Sequence, residues 1–313
     1  MAGPVKVYYS SKEFPKTLKN PVVALGNFDG VHLAHQKMFK KAQAMAKRLG
    51  GHAVAYTFDP HPVKILSKAA ETLMITTLDQ KLELLEKLKL DAVVVEPFDK
   101  KFAQMEAKTW FEKVLRGRLH VKGLVAGYDF TFGRKRGGTS ELLKSLCKEH
   151  HIEIDILAAQ MAKHTLISSS QIRQFITLGK VSLASQLLGR PYFIDGTVIQ
   201  GFGRGAAIGI PTANLKVHNE ILPAQGVYAC QARIKGKTYL AVTNIGMNPT
   251  FGGESLSVET HILHFRQVIY GETIRLNFQK KIREEKSFDK PSELVHQIQK
   301  DIEKAEKILK GTH

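Results

Sequence analysis

The sequence predicts an α/β plus β protein: a parallel-sheet domain over residues 1–186, then an antiparallel β domain over 187–313 that closes with a helix. Three observations predict it. Apolar runs of strand length alternate with helical patterns through the first half, as βαβ units require. Short β-rich runs separated by turn residues fill the second half. The pattern changes near Leu187–Pro191, and 313 residues are more than one hydrophobic core ordinarily organises.

The elements follow in order. Val22–Leu25 is an apolar run stopped by Gly26, the pattern of a buried strand. A helix follows from about His35 to Leu49 and stops at Gly50-Gly51. His52–Phe58, Ala92–Val95, Leu124–Ala126 and Ile152–Leu157 read as further strands. Helices fall between them at Leu78–Leu88, with Leu82, Leu85 and Leu88 on one face, at Phe111–Arg116 and at Ser140–Glu149. Beyond the break, Phe193–Ile199, Val227–Ile234, Thr238–Asn244, Ser257–Leu263 and Thr273–Phe278 predict an antiparallel barrel or sandwich. Pro291 opens a final helix with a stripe of Leu294, Ile298, Ile302 and Ile308.

Composition narrows the function classes. No run of apolar residues is long enough to span a bilayer, and the N-terminus lacks the apolar core of a secretory signal. The only cysteines, Cys147 and Cys230, form no disulfide framework, so a reducing cytoplasm is expected. The net charge of +17 attracts polyanions, whether nucleic acid, anionic lipid or phosphorylated small molecules. No nucleic-acid module accompanies that charge, so neither nucleic acid nor membrane is an expected partner.

The first chemical signal is Gly26-Asn27-Phe28-Asp29-Gly30-Val31-His32-Leu33-Ala34-His35, which runs from a strand end into a helix start. Ligands of open α/β sheets bind there. Gly26 and Gly30 allow tight turns, and the helix N-terminus offers unpaired N–H groups to phosphate. His32 and His35 are spaced to face one anion together. The same spacing fits two metal ligands with Asp29 as a third, or a pair that merely caps the helix. The second signal is Ser168-Ser169-Ser170 before a helical run containing Arg173. Its hydroxyls suit helix capping or a triphosphate, for which Arg173 would supply a bidentate cation.

The third signal is Gly201-Phe202-Gly203-Arg204-Gly205 followed by Pro211-Thr212-Ala213-Asn214. No Gly-Lys-Ser/Thr follows, so it is not a Walker A loop. Glycines let backbone N–H groups cradle phosphates. Thr212 and Asn214, two apart on an extended segment, can present two oxygens to a hard cation such as Mg2+.

Together these motifs resemble the bacterial bifunctional riboflavin kinase/FMN adenylyltransferase (FAD synthetase) family, whose first half is a nucleotidyltransferase of the HxGH superfamily. Phe58-Asp59-Pro60-His61-Pro62, Gly127–Gly133, Asn244-Ile245-Gly246 and Val258-Glu259-Thr260 carry the same resemblance, which spans essentially the whole chain. It implies a Rossmann-like nucleotidyltransferase domain, a β-barrel kinase domain, and ATP, Mg2+, riboflavin, FMN and FAD as ligands. It implies that His32, His35, Ser168 and Arg173 stabilise phosphate charge, with Gly26, Asn27, Phe28, Asp29, Gly30 and Ser169 around the nucleotide. Phe58, His61, Pro62, Asp129 and Phe130 would line the flavin. In the barrel it implies Gly201, Gly203, Arg204, Gly205, Thr212 and Asn214 around ATP and Mg2+, and Glu259 as general base. Three positions depart from the family pattern: Ala34 in place of a glycine, His264 and Arg266 around Phe265 in place of acidic residues, and Ile210 before Pro211. Ala34 raises an alternative, a riboflavin kinase with an impaired adenylyltransferase domain.

Overall fold

The computed structural model describes residues 5–67, 72–201, 205, 208–250 and 253–310. The chain divides into two compact units, Met1–Ser168 and Ser169–His313.

The first unit is built on β1 (Lys6–Tyr8), β2 (Val22–Leu25), α1 (Leu33–Arg48), β3 (Ala53–Asp59), α2 (Pro62–Leu66), α3 (Leu78–Lys87) and β4 (Ala92–Pro97). Then come α4 (Lys100–Ala103), α5 (Ala107–Trp110), β5 (Gly123–Gly127), α6 (Ser140–Glu149) and β6 (Glu153–Leu157), and a small hairpin, β7 (Met161–Ala162) with β8 (Thr165–Leu166). Six strands form one sheet in the order β1-β4-β3-β2-β5-β6. Every pairing in it is parallel. β2 is buried along its whole length, because helices cover both faces of such a sheet. The chain builds outward from β2 through β3 to β4, then returns to add β5 and β6 on the other side. That reversal opens a crevice at the carboxyl ends of β2 and β5, where open α/β sheets bind ligands.

The second unit comprises α7 (Ser169–Thr177), α8 (Val181–Leu188), β9 (Tyr192–Ile199), β10 (Ala213–Val217), β11 (Gly226–Ile234), β12 (Lys237–Thr250), β13 (Gly253–Ile262), β14 (Thr273–Arg283) and α9 (Pro291–Lys310). The six strands close into an antiparallel barrel, β10-β13-β12-β11-β14-β9. Tyr192, Tyr228 and Phe278 fill its interior with mutually packed rings. α8 packs against the barrel, where the Ser182 hydroxyl donates to the Gln279 carbonyl at 2.8 Å. α9 covers Val227, Ala229, Val242 and Ile282 with Ala305 and Leu309.

Four strands have no counterpart in the sequence reading: β1, β10 and the two-residue strands β7 and β8. β1 has three residues, too few to show a period, and β10 follows directly on the glycine-rich run. The buried face of α3 is Gln80, Lys81, Leu84 and Leu85 rather than the Leu82–Leu88 stripe, because a lysine occupies the inner side. Residues 111–116 wind as a π-helix continuing α5. On α9 the most deeply buried positions are Asp301, Ala305 and Leu309, since the helix rests on the barrel beside a buried ion pair.

Candidate active sites

The segment from Gly26 to His32 joins β2 to α1 and is pinned from below. The Asn27 carbonyl accepts from the Thr57 hydroxyl and from the Lys81 ammonium, each at 3.0 Å. The buried Asp29 carboxylate accepts from the backbone of Ile75 at 3.0 Å and of Thr76 at 3.2 Å. Gly30 N–H donates to the Thr76 hydroxyl at 3.2 Å. These bonds hold a left-handed backbone at Phe28 (φ 52°), Gly30 (φ 78°) and Val31 (φ 42°). A β-branched residue there is an outlier that its surroundings must impose, a strain that clusters at functional sites. Gly26 is needed because the Phe28 ring folds over it: a Cβ would lie 2.7 Å from that ring. The Phe28 ring itself is buried, 4.6 Å from Phe39 and edge-on to His35 at 5.2 Å. Phe28 and Asp29 thus spend their side chains on the loop, and only their backbone is left for a nucleotide.

His32 is the N-cap of α1, its Nδ1 accepting from His35 N–H at 3.4 Å. The two imidazoles stack 3.5 Å apart with planes 17° from parallel. Burial, and then the positive neighbours His32 and Lys81, push the His35 pKa well below its ordinary value. A neutral His35 donates through one ring nitrogen and accepts through the other. Its Nδ1 is buried without a hydrogen-bond partner. The capping reading of the pair is therefore realised, and it leaves the N–H groups of Leu33 and Ala34 without an intrahelical acceptor, as an anion site at a helix start requires. Among the described residues no group of three or more His, Cys, Asp or Glu could hold a metal ion.

The residues expected around the flavin sit at the carboxyl ends of β3 and β5, flanking β2. Phe58 is built into an aromatic cluster with Tyr56, Phe98 and Phe102 at 5.3–6.1 Å. His61 caps α2 through Nδ1, accepting from Val63 N–H at 3.2 Å, and Pro62 opens that helix. Asp129 is exposed beyond β5, and Phe130 is half-buried, stacked 5.8 Å from Phe132. Arg134, Lys135 and Arg136 are exposed. Ser168 closes the first unit, while Ser169 and Arg173 lie on α7 of the second.

In the barrel, pairing does what the linear sequence leaves open. Asn214 of β10 is opposite Glu259 of β13, and Glu259 is opposite Asn244 of β12. Three polar side chains thus form one row across three strands, flanked in sequence by buried Leu215, Val258, Thr260, Thr243 and Ile245. Two described glycines of the glycine-rich run lie against the segment Ile210–Asn214. Gly201 lies directly against the Asn214 amide, and Gly205 lies against the Ile210 carbonyl and the Thr212 side chain, so a Cβ at either would collide. Ile210 N–H returns to the Gly205 carbonyl at 2.8 Å. Gly203 and Arg204 lie outside the described residues. The Thr212 hydroxyl and Asn214 amide are hard oxygen donors in a cradle that only glycine leaves open, and they suit Mg2+. Of the departing positions, Ile210 is buried, and Phe265 packs edge-on against Tyr239 at 5.0 Å. His264 is 87% exposed, 3.7 Å from Glu306, in the turn after β13. Arg275 pairs with Asp195 and Arg283 with Asp301, so both arginines are engaged within the barrel unit.

Sequence reasoning missed Lys81 and Thr57, and it quoted Asn244 in a motif without giving it a place beside Glu259. The signal for Lys81 is its spacing from Leu84 and Leu85, which puts a charge on the apolar face of α3. Asn244 becomes visible only through strand register.

Comparison with known proteins agrees with both halves. A family model described as FAD synthetase matches residues 14–171, and one described as riboflavin kinase matches residues 188–309. A Listeria monocytogenes bifunctional riboflavin kinase/FMN adenylyltransferase is 39% identical over 286 residues, covering 90% of each chain. The Bacillus subtilis protein of the same description is 40% identical over 291 residues, covering 91% of each. A crystal structure from Streptococcus pneumoniae, described as a macrolide-efflux protein, superposes with TM-score 0.88 at 32% identity, covering 96% of this chain and 98% of that one. Among the described residues no helix of this chain is long and apolar enough to cross a membrane.

Proposed function

This chain belongs to the family of bifunctional riboflavin kinases/FMN adenylyltransferases, and we propose how its own residues divide the two reactions. The barrel phosphorylates riboflavin with ATP to FMN, and the first unit transfers AMP from a second ATP to FMN, giving FAD and pyrophosphate. Nothing supports the monofunctional alternative, since both family models match and the relatives are bifunctional.

The observation that carries the kinase assignment is the row Asn214–Glu259–Asn244, with Gly201 packed against Asn214 and Gly205 against Thr212. Glu259 takes the proton of the riboflavin 5′-hydroxyl, whose oxygen attacks the γ-phosphorus of ATP while ADP leaves. Gly201, Gly203, Arg204 and Gly205 hold the phosphates. Thr212 and Asn214 would hold Mg2+, which would offset charge on the phosphate oxygens.

In the first unit an FMN phosphate oxygen attacks the α-phosphorus of ATP, and the bond to pyrophosphate breaks. No protein nucleophile is needed, so positioning and charge stabilisation supply the rate. His32, His35 and Ser168 stabilise the phosphates. Gly26, Gly30 and the backbone of Asn27, Phe28 and Asp29 let the nucleotide approach. His61, Pro62, Asp129 and Phe130, with Phe58 behind them, face the flavin.

The test is chromatographic product analysis with riboflavin, ATP and Mg2+. Wild type accumulates FAD. Glu259→Gln loses FMN formation by about 100-fold or more, yet still converts supplied FMN to FAD. EDTA stops FMN formation. Loss of both activities in a folded Glu259→Gln protein overturns the division of labour.

A further inference from the structure

The most unusual charged group in the molecule lies outside every motif. Lys81 of α3 is 5% exposed. A buried ammonium is costly unless its protons are engaged and opposite charge is near. Its Nζ donates to the Asn27 carbonyl at 3.0 Å, and its charge is opposed by Asp29 and Asp59. Asp29 is itself committed to the backbone of Ile75 and Thr76. The cation therefore sits directly beneath the Gly26–Gly30 turn, and its field also reaches His35. An apolar side chain would have filled this face of α3 at lower cost, so the charge has a local task.

We propose that Lys81 is a positioning residue of the adenylyl-transfer site: its ammonium grips the Asn27 carbonyl, sets the strained Phe28–Val31 backbone, and imposes a positive field on the stacked His32–His35 pair. The inference rests on the assignment of adenylyl transfer to this loop. Lys81 touches no substrate and acts through two neighbours. Through Asn27 it fixes the direction in which the residue's N–H and side chain face the α-phosphate. Through the field it disfavours protonation of His35, so that this imidazole meets the nucleotide as a neutral hydrogen-bonding group. The charged and titratable groups facing His35 are His32 from the preceding turn and Lys81 from α3, with Asp29 and Asp59 opposing Lys81. Thr57 is the natural control, because it donates to the same carbonyl but carries no charge.

The experiment compares Lys81→Met and Thr57→Val with wild type. Conversion of FMN to FAD is read as kcat and as KM for ATP, riboflavin phosphorylation by the same chain reports folding of the barrel, and the dispersed amide NMR signals of the first unit report folding of the unit that carries Lys81. The midpoint of His35 is read by NMR of ring-labelled histidine, assigned with His35→Gln. Lys81→Met is expected to lower kcat for FAD formation by about 10- to 100-fold. Its kinase turnover stays within about twofold, and its His35 midpoint rises because a like charge has gone. Thr57→Val lowers kcat less and leaves the His35 midpoint in place. If Lys81→Met disturbs the amide signals of the first unit, Lys81→Gln decides by the same two readings. An unchanged kcat, or a His35 midpoint that does not move, overturns the proposal. A wild type that makes FMN but no FAD overturns the underlying assignment instead, and is told apart because the variant is not needed to see it.

Discussion

Ala34 shows how little a single departure says until its surroundings are known. It occupies the first turn of α1, one residue before His35, with His32 as the cap. Alanine suits that backbone better than glycine by about 0.5–1 kcal/mol. The position is only half-buried, and the site's geometry is fixed elsewhere, by the pins on Asn27, Asp29 and Gly30. Ala34→Gly should therefore lower the stability of the first unit by about 0.5–1 kcal/mol, measured by urea titration followed through FAD formation. A stability gain would mean that the methyl is strained where it stands. Glu259 teaches the converse: alone it is an ordinary strand carboxylate, and the role of base proposed for it rests on its standing between Asn214 and Asn244.

Among the elements, α9 and the barrel depend on one buried ion pair. Arg283 at the end of β14 meets Asp301 of α9 through Nε and a terminal nitrogen at about 3 Å, and Asp301 also accepts from Gln297 at 2.9 Å. The two side chains are 15% and 4% exposed, so removing one partner strands the other in a poorly solvated place. Asp301→Ala should cost the second unit about 3 kcal/mol or more, seen as a lower melting temperature for kinase activity. A change below about 0.5 kcal/mol would show that water replaces the lost carboxylate. The loop after β2 depends in the same way on α3 and on the Ile75–Thr76 segment, so a site named for one motif is held by three separate stretches of chain.

Over the whole molecule, each unit has its own core and its own cysteine. Cys147 packs inside the first unit and Cys230 inside the barrel, both fully buried, and burial pushes each thiol pKa up to about 12. The reactive thiolate is then nearly absent at neutral pH. Ellman's reagent should find close to no reactive thiol in the native protein and both once it is unfolded in guanidinium. A thiol that reacts natively at pH 8 would point to local opening of the unit that carries it. The same test, run with and without flavin and ATP, reports which unit each ligand stabilises.

The sequence by itself determined the two architectures and the two chemistries. Alternating apolar runs and helical periods specify a parallel sheet because buried parallel strands must be apolar throughout. The motif residues announce themselves because glycine, histidine and the Thr-Ala-Asn spacing are chemically unusual where they occur. What only the tertiary structure decided is which residues far apart in the chain meet. Short β1 and β10 carry no readable period, and their partners follow from hydrogen-bond register. The row Asn214–Glu259–Asn244 exists only once three strands align. Lys81 looks like one more surface lysine until α3 turns it inward. Periodicity reports a residue's environment along its own element, whereas register and burial depend on contacts between segments, which one-dimensional order does not encode.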